Sequence, residues 1–542
     1  MRAAKTKFGQ WMQRSMRTAS ISYETGKPVD DIIAERNKNY SRRNFITDTA
    51  KLAALGFAAN GLYGCTKSIS GEDEISSATD TSYINQQKKK IAIIGAGIAG
   101  LNAAITLQEK GITADVYEAS QRAGGRMFTG YNILGEGLST ELGAEFIDTD
   151  HVEMIRLVHK YNLELLDTFQ QSEEDLSDTL YFNGNYYSEA DAAKEFLKLL
   201  PKIAPDKRSL SPNINAFHYS ESDRFFDNMT MTQYFDRIGS AGWFREAMIS
   251  LQLSENGASP DVQSALNLLL YADVANVGGS LHVYYSNERY KIKGGNQQLP
   301  ILMAKDVTNG VKYGYELKKV TSSNGLYTVN FTKKDGSNFS ASYDIVLFAL
   351  PFTILRNVTL DIPLPQWKRD VINQHGYGNN AKLLLGFKKR YWRDDGLNGG
   401  FLTDNETQGG WDNTTLQPGT TGGITIYKCS DEAVALGDGT IQQQVDTNLP
   451  LLNDVLPGAI DNFNNKAQRM VWPAYPYSKA SYSCYFAGQY TTLLGKQIIP
   501  VDNLYFAGEH CSINYWGFMN GAAETGRAAA LSIIKKLKSI SS

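Results

Sequence analysis

The sequence predicts an α/β fold, and three observations carry the prediction. A glycine-spaced turn lies between an apolar strand and a helix near residue 95, and a second strand–glycine–helix unit lies near residue 508. Between them runs a stretch of alternating apolar and polar residues with turn signals, residues 314–351. The first unit reads "IAIIGAGIAGLNAAITLQEKGITADVYEAS" from residue 91. Glycine costs about 0.5–1 kcal/mol inside regular structure, so Gly95, Gly97 and Gly100 mark backbone that must turn sharply or approach something closely. At G-x-G-x-x-G spacing the first makes the turn, the second admits a pyrophosphate and the third lets helix and strand pack. Ile98 and Ala99, between the second and third glycines, are cofactor-binding candidates, and the helix-like run Leu101 to Lys110 follows, with its N-terminus facing the phosphate charge. Gly111 ends that helix, "ITADVYE" forms the next strand, and Glu118 closes it, where an acid accepts hydrogen bonds from a ribose diol. Strand, helix, strand and acid together predict a Rossmann-like dinucleotide site, with NAD and FAD both open at this point.

At 542 residues the chain exceeds a single core, so two or more domains are expected. Apolar residues at 42% and charged residues at 20% describe a soluble globular protein, and a net charge of −3 gives no footprint for nucleic acid. Cys65, Cys429, Cys484 and Cys511 have no metal-ligand spacing, and the six histidines add none, so neither a metal site nor a disulfide framework is expected. Residues 1–65 read as an export-signal-like segment. Within it, "SRRNFITDTAKLAALGFAANGLYGC" carries Arg42 and Arg43 ahead of a modest apolar run and resembles a twin-arginine signal. "LYGC" resembles a lipoprotein box with Cys65 as the acylated residue, which implies an exported, periplasmic or outer-surface protein with a lipid anchor. The apolar run is too short to span a bilayer. Residues 66–90 read as a polar linker.

The residues after Glu118 narrow the choice of cofactor. Ala119 leads into "QRAGGRMFTG", whose Gly124, Gly125 and Arg126 a simple NAD unit does not require. "EASQRAGGR" resembles the extended FAD signature of the flavin-containing amine oxidase family, which includes monoamine, polyamine and L-amino-acid oxidases. The resemblance implies that the glycine pair meets the cofactor and that Arg126 approaches its phosphates. "ELGAEFID", with Gly143, Ala144, Glu145 and Phe146, resembles the segment that passes the flavin ring. "DNLYFAGEHCSINYWGFMNGAAETGRAAALSII" resembles the family's C-terminal motif. There Gly508 and Glu509 meet the ribityl chain, and a helix near Gly517, Phe518 and Met519 faces the flavin carbonyls, stabilising negative charge on the reduced ring. Val320 matches the residue packed near the adenine.

Motifs at opposite ends of the chain must therefore meet on one FAD. The resulting expectation is a discontinuous Rossmann-like FAD-binding domain (residues 91–150, 291–360 and 496–542). A largely helical region (151–290) and a mixed region (361–495) together form an α+β substrate-binding domain.

The catalytic expectations also come from the resemblance. Lys382, ahead of "LLLGF" and the Tyr391–Trp392 pair, matches the lysine that reaches flavin N5 through a water and favours charge build-up as O₂ is reduced. Ser481 stands where monoamine oxidases carry a flavin-linked cysteine, which implies non-covalent FAD. Tyr482 forms one wall of the substrate cage and Phe518 the other, with Trp516 kept beside it. Hydride leaves the amine-bearing carbon, the imine hydrolyses, and O₂ regenerates FAD with release of hydrogen peroxide.

Substrate choice stays divided. Phe128 occupies the position of the carboxylate-binding arginine of amino-acid oxidases, whereas "YWRDDGLNGG" and "GGNQQLP" resemble the amino-acid oxidase versions. Arg289 or His282 would then have to meet the carboxylate. The expectation is an L-amino-acid oxidase. The alternatives are an oxidase of amines lacking a carboxylate, or an amine dehydrogenase with another acceptor. Expected partners are the amine or amino acid, molecular oxygen and a second copy of the chain.

Overall fold

Ile91–Ile94 is buried at all four positions, which suits an inner strand of a parallel sheet covered on both faces. The computed structural model describes residues 7–39, 89–169, 176–272 and 287–541, and places this strand at the centre of a five-stranded sheet. The order is Leu504–Phe506, Ile345–Phe348, Ile91–Ile94, Asp115–Glu118 and Val311–Tyr313, and every pair is parallel. Register runs Ile91 to Ile345 and Val346 to Leu504, so strands from both ends of the chain lie one strand apart. On one face the glycine-turn helix Ile98–Gln108 packs against the C-terminal helix Met519–Ser541. A Cβ on Gly526 would collide with the Ala99 carbonyl oxygen, so the two helices touch backbone to backbone. On the other face lies a four-stranded sheet, in the order Asn338–Tyr343, Leu326–Lys333, Tyr315–Ser323 and Thr359–Asp361, whose inner residues include Val320 and Phe331.

The second half is built on a seven-stranded sheet. Its order is Phe463–Val471, Asn380–Phe387, Gly422–Cys429, Gly409–Asp412, Leu397–Thr403, Ser177–Phe182 and Asn185–Tyr187. Asn380–Phe387 and Gly422–Cys429 are buried at every position and pair antiparallel, with Lys382 opposite Tyr427. Helices such as Glu189–Arg208, whose Ser188 and Asp191 form a capping box, pack against this sheet. The region 151–290, expected to be largely helical, also supplies two of the seven strands. Alternation in "SDTLYF" is short and aromatic, and the strand that joins its hairpin to the sheet, Leu397–Thr403, lies more than two hundred residues away in sequence.

Within the span read as an export segment, Lys7–Thr25 and Val29–Asn39 are helices. They bury Trp11, Met12 and Met16 in the helical core, and Arg36 grips Glu189 with both guanidinium arms (2.6 and 3.2 Å). Arg42, Arg43 and Cys65 lie outside the described residues, as does the linker up to residue 88. Among the described residues no helix is long and apolar enough to cross a membrane.

Candidate functional site

Gly95 takes φ +110°, and a Cβ there would sit 2.5 Å from the Ala349 carbonyl oxygen. Only glycine suits both the conformation and the contact. The turn is pinned by Gly95 N–H to Tyr117 O (2.7 Å), and Gly124 N–H reaches back to Ala96 O (2.9 Å). Gly97 caps the helix without a side chain, so the first-turn N–H groups of Ile98–Gln108 open into a cleft. Glu118 lines the same cleft and receives Ala96 N–H (2.8 Å) and Ser120 N–H (2.9 Å) on its two oxygens. A carboxylate has about four lone-pair sites, so acceptor capacity remains for a diol.

Further along, Arg126 Nη1 donates to Glu509 Oε1 (2.8 Å) and to Ser481 O (2.6 Å). Glu509 also receives Ser483 Oγ–H (2.5 Å) and Gly517 N–H (2.7 Å). Burial would raise its carboxyl, but the Arg126 guanidinium and these donors hold it at about 2. Glu509–Cys511 is a short 3₁₀ turn, and the long helix begins at Met519, beside Gly517 and Phe518. The intervening loop brings Gly517 N–H onto the carboxylate. His510 faces the cleft with both ring nitrogens buried and lacking protein partners, and burial pushes its imidazole down to about 3, leaving it neutral.

The substrate end begins at Lys382. Its Nζ donates to Glu141 O (3.0 Å), Gly143 O (2.9 Å) and Glu145 Oε2 (3.0 Å). Gly143 must be small because a Cβ would collide with Arg126 O. Phe146, Trp411, Tyr427, Tyr482 and Phe518 complete the wall. Tyr482 donates its hydroxyl proton to Ser254 O (3.0 Å), and its oxygen lies 3.2 Å from that of Tyr427. A carbonyl cannot donate, so Tyr427 is the donor in the tyrosine pair. Burial raises both phenols well above their ordinary range.

The cleft thus gathers Gly95, Gly97, Ile98, Ala99, Glu118, Gly124, Gly125 and Arg126 from the first motif. Gly143 to Phe146, Lys382, Tyr482, Gly508, Glu509 and Gly517 to Met519 join them from later segments. Gly100, Ala119, Val320 and Trp516 are not among the lining residues. Gly100 packs against the Gly95 carbonyl, and Val320 is wholly buried in the four-stranded sheet. Trp516 lies edge-on to Tyr485 (5.2 Å) and Tyr490 (6.1 Å) in the helical core, so Phe518 forms the wall there. Arg289 is paired with Asp167 (2.7 Å), away from the lining, and Phe128 lies beneath the Arg122 guanidinium (3.9 Å to the ring centre). His282 lies outside the described residues.

Sequence reading missed Trp411, Tyr427 and Asn380, which reach the site from interior strands of the seven-stranded sheet, and Lys291, which supports it from the two-stranded pair Leu165–Asp167 and Tyr290–Ile292. Their immediate sequence surroundings, such as "QGGWDN" and "ERYKIKGG", carry no signal that sets them apart. Asp148, Asp150 and His151 bring ligand atoms within 4.8 Å of one another. However, Asp148 N–H donates to His151 Nδ1 (3.0 Å), which fixes the ring proton on Nε2 and leaves no lone pair there for a metal.

The cleft fits a flavin dinucleotide. An uncapped helix N-terminus lies at one end, Glu118 beside it, the partnerless His510 nitrogens midway, and an aromatic chamber beside Lys382 at the other end.

Comparison with known proteins agrees. The family model described as flavin containing amine oxidoreductase matches residues 98–534. An L-amino-acid oxidase of Demansia vestigiata is 25% identical over 501 residues, covering 88% of this chain and 94% of that protein. A flavin-containing amine oxidase of Oncorhynchus mykiss is 25% identical over 474 residues, covering 82% and 86%. Among solved structures, cyclohexylamine oxidase from Brevibacterium oxydans IH-35A superposes with a TM-score of 0.71 at 19% identity, covering 83% of this chain and 99% of that one. A putrescine oxidase bound to putrescine gives a TM-score of 0.70 at 20% identity, covering 82% and 99%.

Proposed function

The chain belongs to the flavin-containing amine oxidoreductases, and from that premise we propose that it is an FAD-dependent oxidase of amines carrying no carboxylate. The tyrosine pair carries this choice. Both hydroxyl protons are committed within the protein, Tyr482 to Ser254 O and Tyr427 to Tyr482, so neither has a proton to give a carboxylate in the chamber. Lone pairs suit the N–H groups of an amine and repel a carboxylate. Of the cations on the lining, Arg126 is paired with Glu509, and the Lys382 ammonium is turned onto the Glu141 and Gly143 carbonyls and Glu145. Asp148 and Glu288 add further carboxylates to the lining. A buried carboxylate without a cation costs several kcal/mol.

Bound flavin supplies the electron sink for hydride leaving the amine-bearing carbon. The chain's own contribution is positional. Phe146, Trp411 and Phe518 exclude water from the amine, and the tyrosine oxygens orient its N–H groups. Lys382, held by three acceptors, stabilises charge that develops as electrons pass to O₂. Ser481 Oγ–H is directed at Gly378 O (2.8 Å) and Asn380 Oδ1 (2.5 Å), and a serine offers no thioether, which supports non-covalent FAD.

The amino-acid reading is favoured by relatives such as the Demansia vestigiata enzyme. Peroxide release measured on a panel of primary and secondary amines and on the twenty L-amino acids separates the two. We expect turnover of amines, and turnover confined to amino acids would reject the proposal. Peroxide yield equal to amine consumed distinguishes an oxidase from a dehydrogenase. Acid precipitation should leave the yellow colour in the supernatant.

A further inference from the structure

Beside the chamber two lysines share one carboxylate. Glu145 sets Oε1 against Lys291 Nζ (2.8 Å) and Oε2 against Lys382 Nζ (3.0 Å), and Trp411 Nε1–H donates to the same Oε2 (3.0 Å). Lys291 also donates to Asn413 O (3.2 Å). All three charged side chains are less than a tenth exposed. Burial would raise the Glu145 carboxyl, but the two lysines overcome it and hold the group at about 2, so the anion persists. Burial pushes the neighbouring Glu141 up to about 7, against the pull of Asn296 N–H, which limits the countercharge it adds below that pH. One persistent anion between two buried cations leaves net positive charge, and of the two lysines only Lys382 lines the cleft.

We propose that Lys291 is a positioning residue for Lys382: by occupying one oxygen of Glu145 it prevents that carboxylate from neutralising Lys382, which therefore presents positive charge to the flavin ring. The proposal rests on the reading of Lys382 as the flavin-facing lysine of an amine oxidase. Without Lys291 both oxygens of Glu145 can turn on Lys382, and the pair becomes neutral as seen from the chamber. Coulomb interaction at such distances in a buried setting is large enough to register at the flavin.

Sulfite is a suitable probe because it adds reversibly to oxidised flavin and bleaches it, and nearby positive charge stabilises the adduct. Titrations use purified holoenzyme and require no substrate turnover. Lys291→Met should weaken sulfite binding about tenfold or more, and Lys291→Arg should stay near the parent. Lys382→Met should weaken it at least as much, and the double variant no further than Lys382→Met alone. Parental affinity in Lys291→Met, alongside weakening in Lys382→Met, overturns the role of Lys291 while leaving the amine-oxidase reading intact. Unchanged affinity in Lys382→Met removes the premise and the proposal together. If Lys291→Met is purified without flavin, Glu145→Gln decides: removing the shared anion should tighten sulfite binding, and unchanged or weaker binding overturns the proposal.

Discussion

The nucleotide end of the cleft is shaped mainly by backbone, and the substrate end by side chains that meet across the sheet. At the first, Gly95 turns, Gly97 leaves a helix end open, and Gly143 lets the Arg126 carbonyl pack against it. At the second, Lys382, Glu145, Trp411, Tyr427 and Tyr482 come from distant segments, and each depends on another for its orientation. A device made of backbone needs glycine at fixed spacing, so it leaves a trace in any short stretch of sequence. A device made of paired side chains leaves none, because either residue alone resembles ordinary core.

The Arg126–Glu509 ion pair ties the first motif to the C-terminal segment, and breaking it should have the largest effect. Glu509→Ala leaves the Arg126 guanidinium and the Ser483 hydroxyl without their shared carboxylate. Breaking a buried pair by removing one partner costs about 3–5 kcal/mol. The variant should be purified colourless and take up added FAD only weakly, as read by visible absorbance. Flavin retained at the parental level would mean that the ends bind the cofactor independently.

Damage confined to the substrate end should spare the flavin. Lys382→Met should keep its colour yet slow reoxidation by O₂ about 10²–10³-fold, the scale seen when one preorganised electrostatic group is removed. Stopped-flow mixing of reduced enzyme with oxygen measures it. Trp411→Phe keeps the ring in the wall but removes the N–H that Glu145 accepts at 3.0 Å. A hydrogen bond to a charged group contributes about 1.5–3 kcal/mol, so amine kcat/KM should fall by about tenfold with flavin content unchanged. Equal losses of flavin in all three variants would erase the distinction between the ends.

The same contrast explains what could be read in advance. The strands Ile91–Ile94 and Asp115–Glu118, the glycine turn between them and Glu118 were legible because strand, turn and helix follow one another locally, whereas the edge strand Val311–Tyr313 was not. Convergence of Glu509 on that turn was legible only through family resemblance, since no local pattern joins residues 118 and 509. Trp516 and Phe518 could not be separated by spacing, because the turn of the Gly517 backbone decides which ring faces the chamber, and Gly517 takes φ +84°. Tyr427 and Lys291 were missed because their partners come from other segments: Tyr427 pairs with Tyr482 across the chamber, and Lys291 reaches Glu145 from a strand outside the seven-stranded sheet. The two N-terminal helices were passed over because an arginine pair downstream suggested an export segment, while their burial depends on the helix Glu189–Arg208.

The smallest expected effect concerns pH and tests whether Glu141 belongs electrically to the substrate end. Burial raises its carboxyl from an ordinary 4.5 to about 7, with Asn296 N–H opposing and Glu145 adding to the rise. The folded state therefore holds this proton more tightly than the unfolded chain does. Its contribution to stability is complete below 4.5 and is lost as pH rises through about 7. Glu145 and Glu509, held at about 2, have the opposite sign, and their contribution is lost only as pH falls from 4.5 toward 2. Between about pH 5 and about pH 8, Glu141 should thus produce a decline in stability that the other two do not offset. Glu141→Gln keeps an acceptor for the Asn296 N–H but cannot ionise, so the decline should flatten. In a chain of this size the difference amounts to about 2–3 °C in Tm. Thermal unfolding of parent and variant across that range decides the point: parallel curves would show that Glu141 does not titrate there, and the charge beside Lys382 would then be independent of pH near neutrality.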